Sequence, residues 1–158
     1  MSDTSKSTLP GRVAGIDYGT VRVGVAISDP ARSIASPLCV HTLSGEQADA
    51  KFFKTLVQDE DIRLFVVGVP VHLSGQESQK SAEARQFAAW LTQITGVPHA
   101  LEDERYSSKF AEDALMAAGL TKKRRKERID MLAAQGILAA YLQRGDAAPP
   151  DLAGLDER

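Results

Sequence analysis

The sequence is poor in cysteine. Cys39 stands alone, so neither an intrachain disulfide nor a cysteine metal site can be built, and a small buried hydrophobe in a reducing compartment is the expected role. Long hydrophobic runs are also missing: no segment approaches the roughly 20 apolar residues a membrane span needs, and residues 1–11 lack the apolar centre of a secretory signal. Charge of one sign is not in excess, with 19 Lys and Arg against 21 Asp and Glu. Bulk charge therefore does not announce a nucleic-acid binder, and such a case must rest on where the charges sit. His41, His72 and His99 are scattered and show no zinc spacing. What remains is a cytoplasmic protein of 158 residues, 43% hydrophobic, enough for one full core.

Residues 12–144 read as a single domain between flexible tails at 1–11 and 145–158. Residues 12–18 and 23–28 alternate as strands around a turn at 19–22, which makes a hairpin. A third strand over 34–43 carries Pro37, so it belongs at an edge or is irregular. A helix follows over 46–59, with Phe53 and Val57 facing the core. The most apolar run, 62–69, suits a strand covered on both faces. Then come a helix over 78–95 ended by Gly96 and Pro98, a strand over 97–101, and helices over 107–118 and 125–143. Three strands can form an antiparallel meander, and later strands reached through helices add in parallel by right-handed crossovers. The expected fold is α/β: a mixed sheet with helices on both faces, binding ligands beyond the carboxyl ends of its strands.

Three acidic positions stand out. Asp17 ends an apolar strand, where a carboxylate is costly unless it is paired, holds a cation, or is solvated as a hairpin cap. Glu102, Asp103 and Glu104 are consecutive acids after a strand, either a charged loop or a repulsion to be relieved by a cation or by Arg105. Asp130 aligns with Ala133, Ala134, Ile137 and Tyr141 on the sheet-facing stripe of the last helix, where it needs a partner, or sits at the stripe's edge near the helix start. Together they suit Mg²⁺ or Mn²⁺, for which carboxylates are the usual ligands, and metal-assisted phosphodiester hydrolysis needs no protein nucleophile. The segment Lys122, Lys123, Arg124, Arg125, Lys126, Glu127, Arg128 is basic at six of seven positions. It opens a helix, where the dipole disfavours cations. It is either a solubilising surface cluster or a phosphate site, and its nearness to Asp130 favours phosphate. His72, in the loop after Pro70, is a solvated loop residue or a substrate contact.

These pieces resemble the YqgF/RuvX family of Holliday junction resolvase-like proteins, also described as pre-16S ribosomal RNA nucleases. The likeness runs through Gly15-Ile16-Asp17-Tyr18-Gly19, Arg22-Val23-Gly24-Val25-Ala26, Val67-Gly68-Val69-Pro70, Asp103-Glu104-Arg105-Tyr106-Ser107-Ser108, Arg125-Lys126, Ile129-Asp130 and Ala133-Ala134. Tyr106 and Ser74 depart from the family pattern, outside the acidic positions. The resemblance implies an RNase H-like fold and a divalent-metal nuclease with Asp17, Glu104 and Asp130 as its acidic triad, Glu102 and Asp103 being weaker candidates. The implied substrate is pre-16S ribosomal RNA or branched DNA, bound with help from Arg105 and the basic run by a monomer or homodimer. Two readings compete. Asp17-Tyr18-Gly19 before Gly24 also resembles the first phosphate hairpin of actin-like ATPases and sugar kinases. A non-catalytic RNA-binding factor would use the basic helix alone.

Overall fold

The computed structural model describes residues 9–70, 78–104 and 122–144, and of residues 122–127 the backbone alone. His72 and Ser74, Arg105 and the expected helix over 107–118, and most of both expected tails lie outside the described residues. The elements are β1 (Arg12–Tyr18), β2 (Arg22–Ser28), β3 (Ala35–Thr42), α1 (Glu46–Glu60), β4 (Ile62–Val69), α2 (Gln79–Thr95), β5 (His99–Asp103) and α3 (Lys122–Arg144).

The strands form one sheet in the order β3-β2-β1-β4-β5. β1 and β2, and β2 and β3, pair antiparallel, whereas β1 and β4, and β4 and β5, pair parallel. This is the expected meander with parallel additions. β3 is an edge strand, and its register slips between Val25 and Ala26, where Pro37 lies opposite Ala26. A proline has no N–H to give the ladder, so the slip falls there.

Alternation along the strands divides the core in two. One face presents Ala14, Ile16, Val23, Val25, Phe65 and Val67 to α1 and α2, whose Phe53, Leu56, Ala84, Ala88 and Leu91 complete that cluster. Val57 packs at its margin. The other presents Val13, Ala26 and Val66 to Ala134, Ile137 and Leu138 of α3. Helices therefore cover both faces.

Local chemistry sets the helix ends. The Asp49 carboxylate accepts the Ser44 and Gly45 amides and pairs with His41 Nε2 at 2.9 Å, tying α1 to β3. Ser78 caps α2 by accepting the Ser81 amide at 3.0 Å, and Gly96 closes it at φ 77°. Ser78→Ala should cost about 1 kcal/mol, read as a lower midpoint in thermal or urea unfolding with unchanged slope; an unchanged midpoint would mean the cap is not used.

Two elements depart from the sequence expectation by two residues or more. α3 starts at Lys122, so the basic run lies within the helix. β5 runs from His99 to Asp103 instead of over 97–101, because pairing with β4 continues through Gly68↔Glu102 and Val69↔Asp103. The strand can absorb two acids because Glu102, 1% exposed, meets a cation from α3: its carboxylate pairs with Arg144.

Glycine decides how closely α3 approaches the sheet. A Cβ on Gly15 would lie 2.7 Å from Leu138 Cβ and 2.8 Å from the Ala134 carbonyl oxygen. A Cβ on Gly24, on β2, would overlap the Asp130 carbonyl group. Any side chain at these points would lift the helix off the sheet.

Candidate active site

The carboxyl ends of β1, β4 and β5 meet at one edge, and the acids expected from the sequence converge there. Asp17 is the next-but-last residue of β1. Gly15 meets α3, so alternation turns Asp17 to the α3 face as well. Opposite Asp17 in the antiparallel pair is Gly24, the residue on which α3 rests at Asp130. Glu104 follows β5 directly; its amide donates to the Val69 carbonyl at 3.1 Å, and its Cβ stands 3.2 Å from where a Cβ on Gly68 would be. Three elements distant in sequence thus deliver three carboxylates to one region.

Their proximity appears as mutual electrostatics. Burial raises the Asp17 carboxyl pKa from 3.8 to about 7, with Glu104 and then Asp130 adding to the rise and Lys80 opposing it. Burial also raises Glu104, while Lys80 lowers it and Asp103 raises it. Carboxyl groups whose pKa is raised by burial and by one another mark a place where a cation would be stabilised. As the side chains stand, no three His, Cys, Asp or Glu among the described residues are close enough to hold one ion. The hard oxygen donors and their unfavourable negative charge nevertheless suit Mg²⁺ or Mn²⁺.

Two cations flank the acids, and neither was assigned a role from sequence. Arg22, at the start of β2, donates Nε to Asp130 Oδ2 at 2.9 Å. Alternation from Gly24 places Arg22 on the α3 face, a signal the strand pattern did carry. Lys80 Nζ, on α2, lies 3.9 Å from Glu104 Oε2. No local pattern pointed to Lys80, because its partner belongs to another strand end.

The weaker candidates separate. Glu102 is engaged with Arg144 inside the fold, and its Oε1 has no hydrogen-bond partner among the described residues. Asp103 acts on the site through its charge on Glu104. Arg128 is exposed on α3; the side chains of Lys122, Lys123, Arg124, Arg125 and Lys126, and all of Arg105, lie outside what is described. No described helix is long and apolar enough to cross a membrane.

A protein of Rhodopirellula baltica named "Putative pre-16S rRNA nuclease" is 46% identical over 142 residues, covering 87% of this chain and 82% of that one. A protein of the same name from Paracoccus denitrificans is 40% identical over 144 residues, covering 90% and 91%. Among solved structures, Thermus thermophilus RuvC in complex with Holliday junction substrate superposes with TM-score 0.51 at 16% identity, covering 88% of this chain and 99% of that one. Fowlpox virus resolvase, in complex with substrate Holliday junction DNA, superposes with TM-score 0.54 at 8% identity, covering 84% and 97%. Identities this low speak for the fold alone, which is RNase H-like. The RuvX family, described as Holliday junction resolvase, matches residues 11–144, and the chain belongs to that family.

Proposed function

We propose that this protein is a cytoplasmic, divalent-metal-dependent nuclease that hydrolyses phosphodiester bonds during processing of the 5′ end of pre-16S ribosomal RNA. The observation that carries the reading is the Asp17 carboxyl, raised to about 7 by burial and by Glu104 and Asp130. The names of the relatives support the RNA substrate.

Asp17, Glu104 and Asp130 are the residues that would hold Mg²⁺ or Mn²⁺. When bound, such ions supply charge neutralisation and an activated water for in-line displacement. The chain's own contribution is placement. Gly24 lets α3 come close enough to bring Asp130 to β1. Arg22 holds one oxygen of Asp130, which limits the rotamers of that carboxylate. Desolvation of Asp17 strengthens its attraction for a cation by removing competing water. Phosphate binding away from the acids falls to Lys122, Lys123, Arg124, Arg125, Lys126 and Arg128 on α3, with Arg105. The catalytic unit is residues 12–144, as a monomer or homodimer.

Resolution of a Holliday junction is the second reading, favoured by the description of the family. One assay separates them: purified protein with Mg²⁺ or Mn²⁺ on a precursor 16S RNA fragment and on a four-way DNA junction. Cleavage of the RNA is expected, abolished by chelation and by Glu104→Gln. Cutting of the junction alone would transfer the assignment to recombination. ATP hydrolysis without cleavage of either would replace it with a nucleotide-binding role, and RNA binding without cleavage with a non-catalytic factor.

A further inference from the structure

Beside the carboxylates lies a cleft that the proposed chemistry leaves unused. Its volume is about 460 Å³, and it is lined by Tyr18, Gly19, Thr20, Gln79, Lys80 and Glu83. That volume falls within the roughly 300–1,000 Å³ of small-ligand sites. Asp17 and Tyr18 are consecutive on β1, so alternation sends them to opposite faces. The cleft therefore opens one residue from Asp17, toward α2.

Its charged groups differ in their engagement. Glu83 accepts a hydrogen bond from Gln79 Nε2 at 3.2 Å. Lys80 reaches within 3.9 Å of Glu104 while its side chain stays 62% exposed, against 10% for Glu104. The ammonium thus offsets the charge of a largely buried carboxylate while most of the lysine side chain stays in solvent. Its position does suit an anion that arrives from solvent beside the acids. Tyr18 supplies an apolar surface. Its ring is supported by Phe87 at a centroid distance of 4.6 Å. It also borders a second, smaller cleft of about 250 Å³ whose lining includes Phe87 and Trp90. A lysine and an aromatic ring side by side are the pair a single-stranded polynucleotide uses, one for its phosphate and one for its base.

We propose that this cleft is a subsite for the nucleotide adjoining the cleaved phosphate, with Lys80 holding that nucleotide's phosphate and Tyr18 its base. The proposal rests on the nuclease reading and adds to it where the substrate strand lies. Recognition is of a phosphate and a base face, so RNA and DNA single strands are held alike.

The test uses the full chain carrying Asp17→Asn, in Mg²⁺, with fluorescent 20-nucleotide RNA and DNA single strands of one sequence. Lys80→Gln should weaken binding of both about tenfold and flatten the log–log salt slope by about 0.7, the contribution of one phosphate contact on a single strand. Lys80→Arg should restore most of the affinity. Tyr18→Leu should weaken binding at least about fivefold, with the salt slope unchanged. In the chain that retains Asp17, Lys80→Gln should raise KM far more than it lowers kcat.

Unchanged oligonucleotide affinity in Lys80→Gln, while the parent chain still cuts, would overturn the subsite and leave the nuclease standing. So would tighter Mn²⁺ binding by Lys80→Gln in the chain that retains Asp17, with oligonucleotide affinity unaltered, since Lys80 would then be only a counterion to Glu104. A Lys80-dependent affinity in a chain that never cuts would overturn the nuclease and keep the subsite. Failure to bind either strand would overturn both.

Discussion

Asp17→Asn should abolish cleavage and, in metal-free buffer at pH 8, make the protein more stable. The first effect follows from charge. If three carboxylates hold the cations, an amide in place of the central one removes several kcal/mol of transition-state stabilisation. At about 1.4 kcal/mol per decade, the rate falls at least about a thousandfold. Binding of nucleic acid through the basic run should persist. The second effect follows from linkage. The folded-state pKa of Asp17 lies near 7, above its ordinary 3.8. Between those values the folded protein binds the proton more tightly than the unfolded chain does. Stability from this residue is complete below about pH 4, declines as pH rises, and is gone above about pH 7. Asparagine has no such penalty, so the variant's advantage in chelator should be near zero at pH 4 and on the order of 4 kcal/mol at pH 8. Thermal melts at several pH values measure this. Added Mn²⁺ should raise the midpoint of the parent protein and leave that of the variant almost unmoved. A pH-independent difference between the two, or an equal metal response, would remove Asp17 from the site.

Gly24→Ala should damage stability and catalysis together, although the residue carries no chemistry. Its added methyl group would overlap the backbone carbonyl of Asp130. Backbone cannot rotate aside as a side-chain tip can, so either α3 lifts or β2 bends. Overpacking of this kind costs about 1–3 kcal/mol and sometimes more. For a chain of this size that lowers the melting midpoint by roughly 3–10 °C. The same displacement moves the Asp130 carboxylate away from Asp17 and disturbs its bond to Arg22. A shift near 1 Å in a catalytic group costs on the order of a hundredfold in rate. Weaker Mn²⁺ binding should accompany it. A variant that melted and cut like its parent would show that α3 does not rest on β2 at this point.

Much of the site could be read along the chain. Asp17 was legible because an acid at the end of an apolar strand breaks the alternation of its neighbours. Asp130 was legible because it shares a helical stripe with Ala134 and Ile137, both buried. The three adjacent acids were harder. Sequence could say that Glu102 and Glu104 share a side, but not that Glu102 would be drawn inside against Arg144 while Glu104 stayed at the edge. That outcome depends on how far β5 continues beside β4, a matter of register between strands with a helix between them. That α3 rests on Gly15 and Gly24 was not read along the chain, because it depends on which helix crosses the sheet there.

Periodicity and residue type, both local properties, determined the elements, their alternation between two faces, the class of fold and which acids deserved notice. Distances between carboxylates, the grip of Arg22 on Asp130, the reach of Lys80 to Glu104 and the opening of a cleft beside Tyr18 were decided only by tertiary structure. The reason is that each joins residues far apart in the chain. Their meeting is set by how closely α3 sits on the sheet and where the strand ends fall, quantities that depend on packing across the whole core.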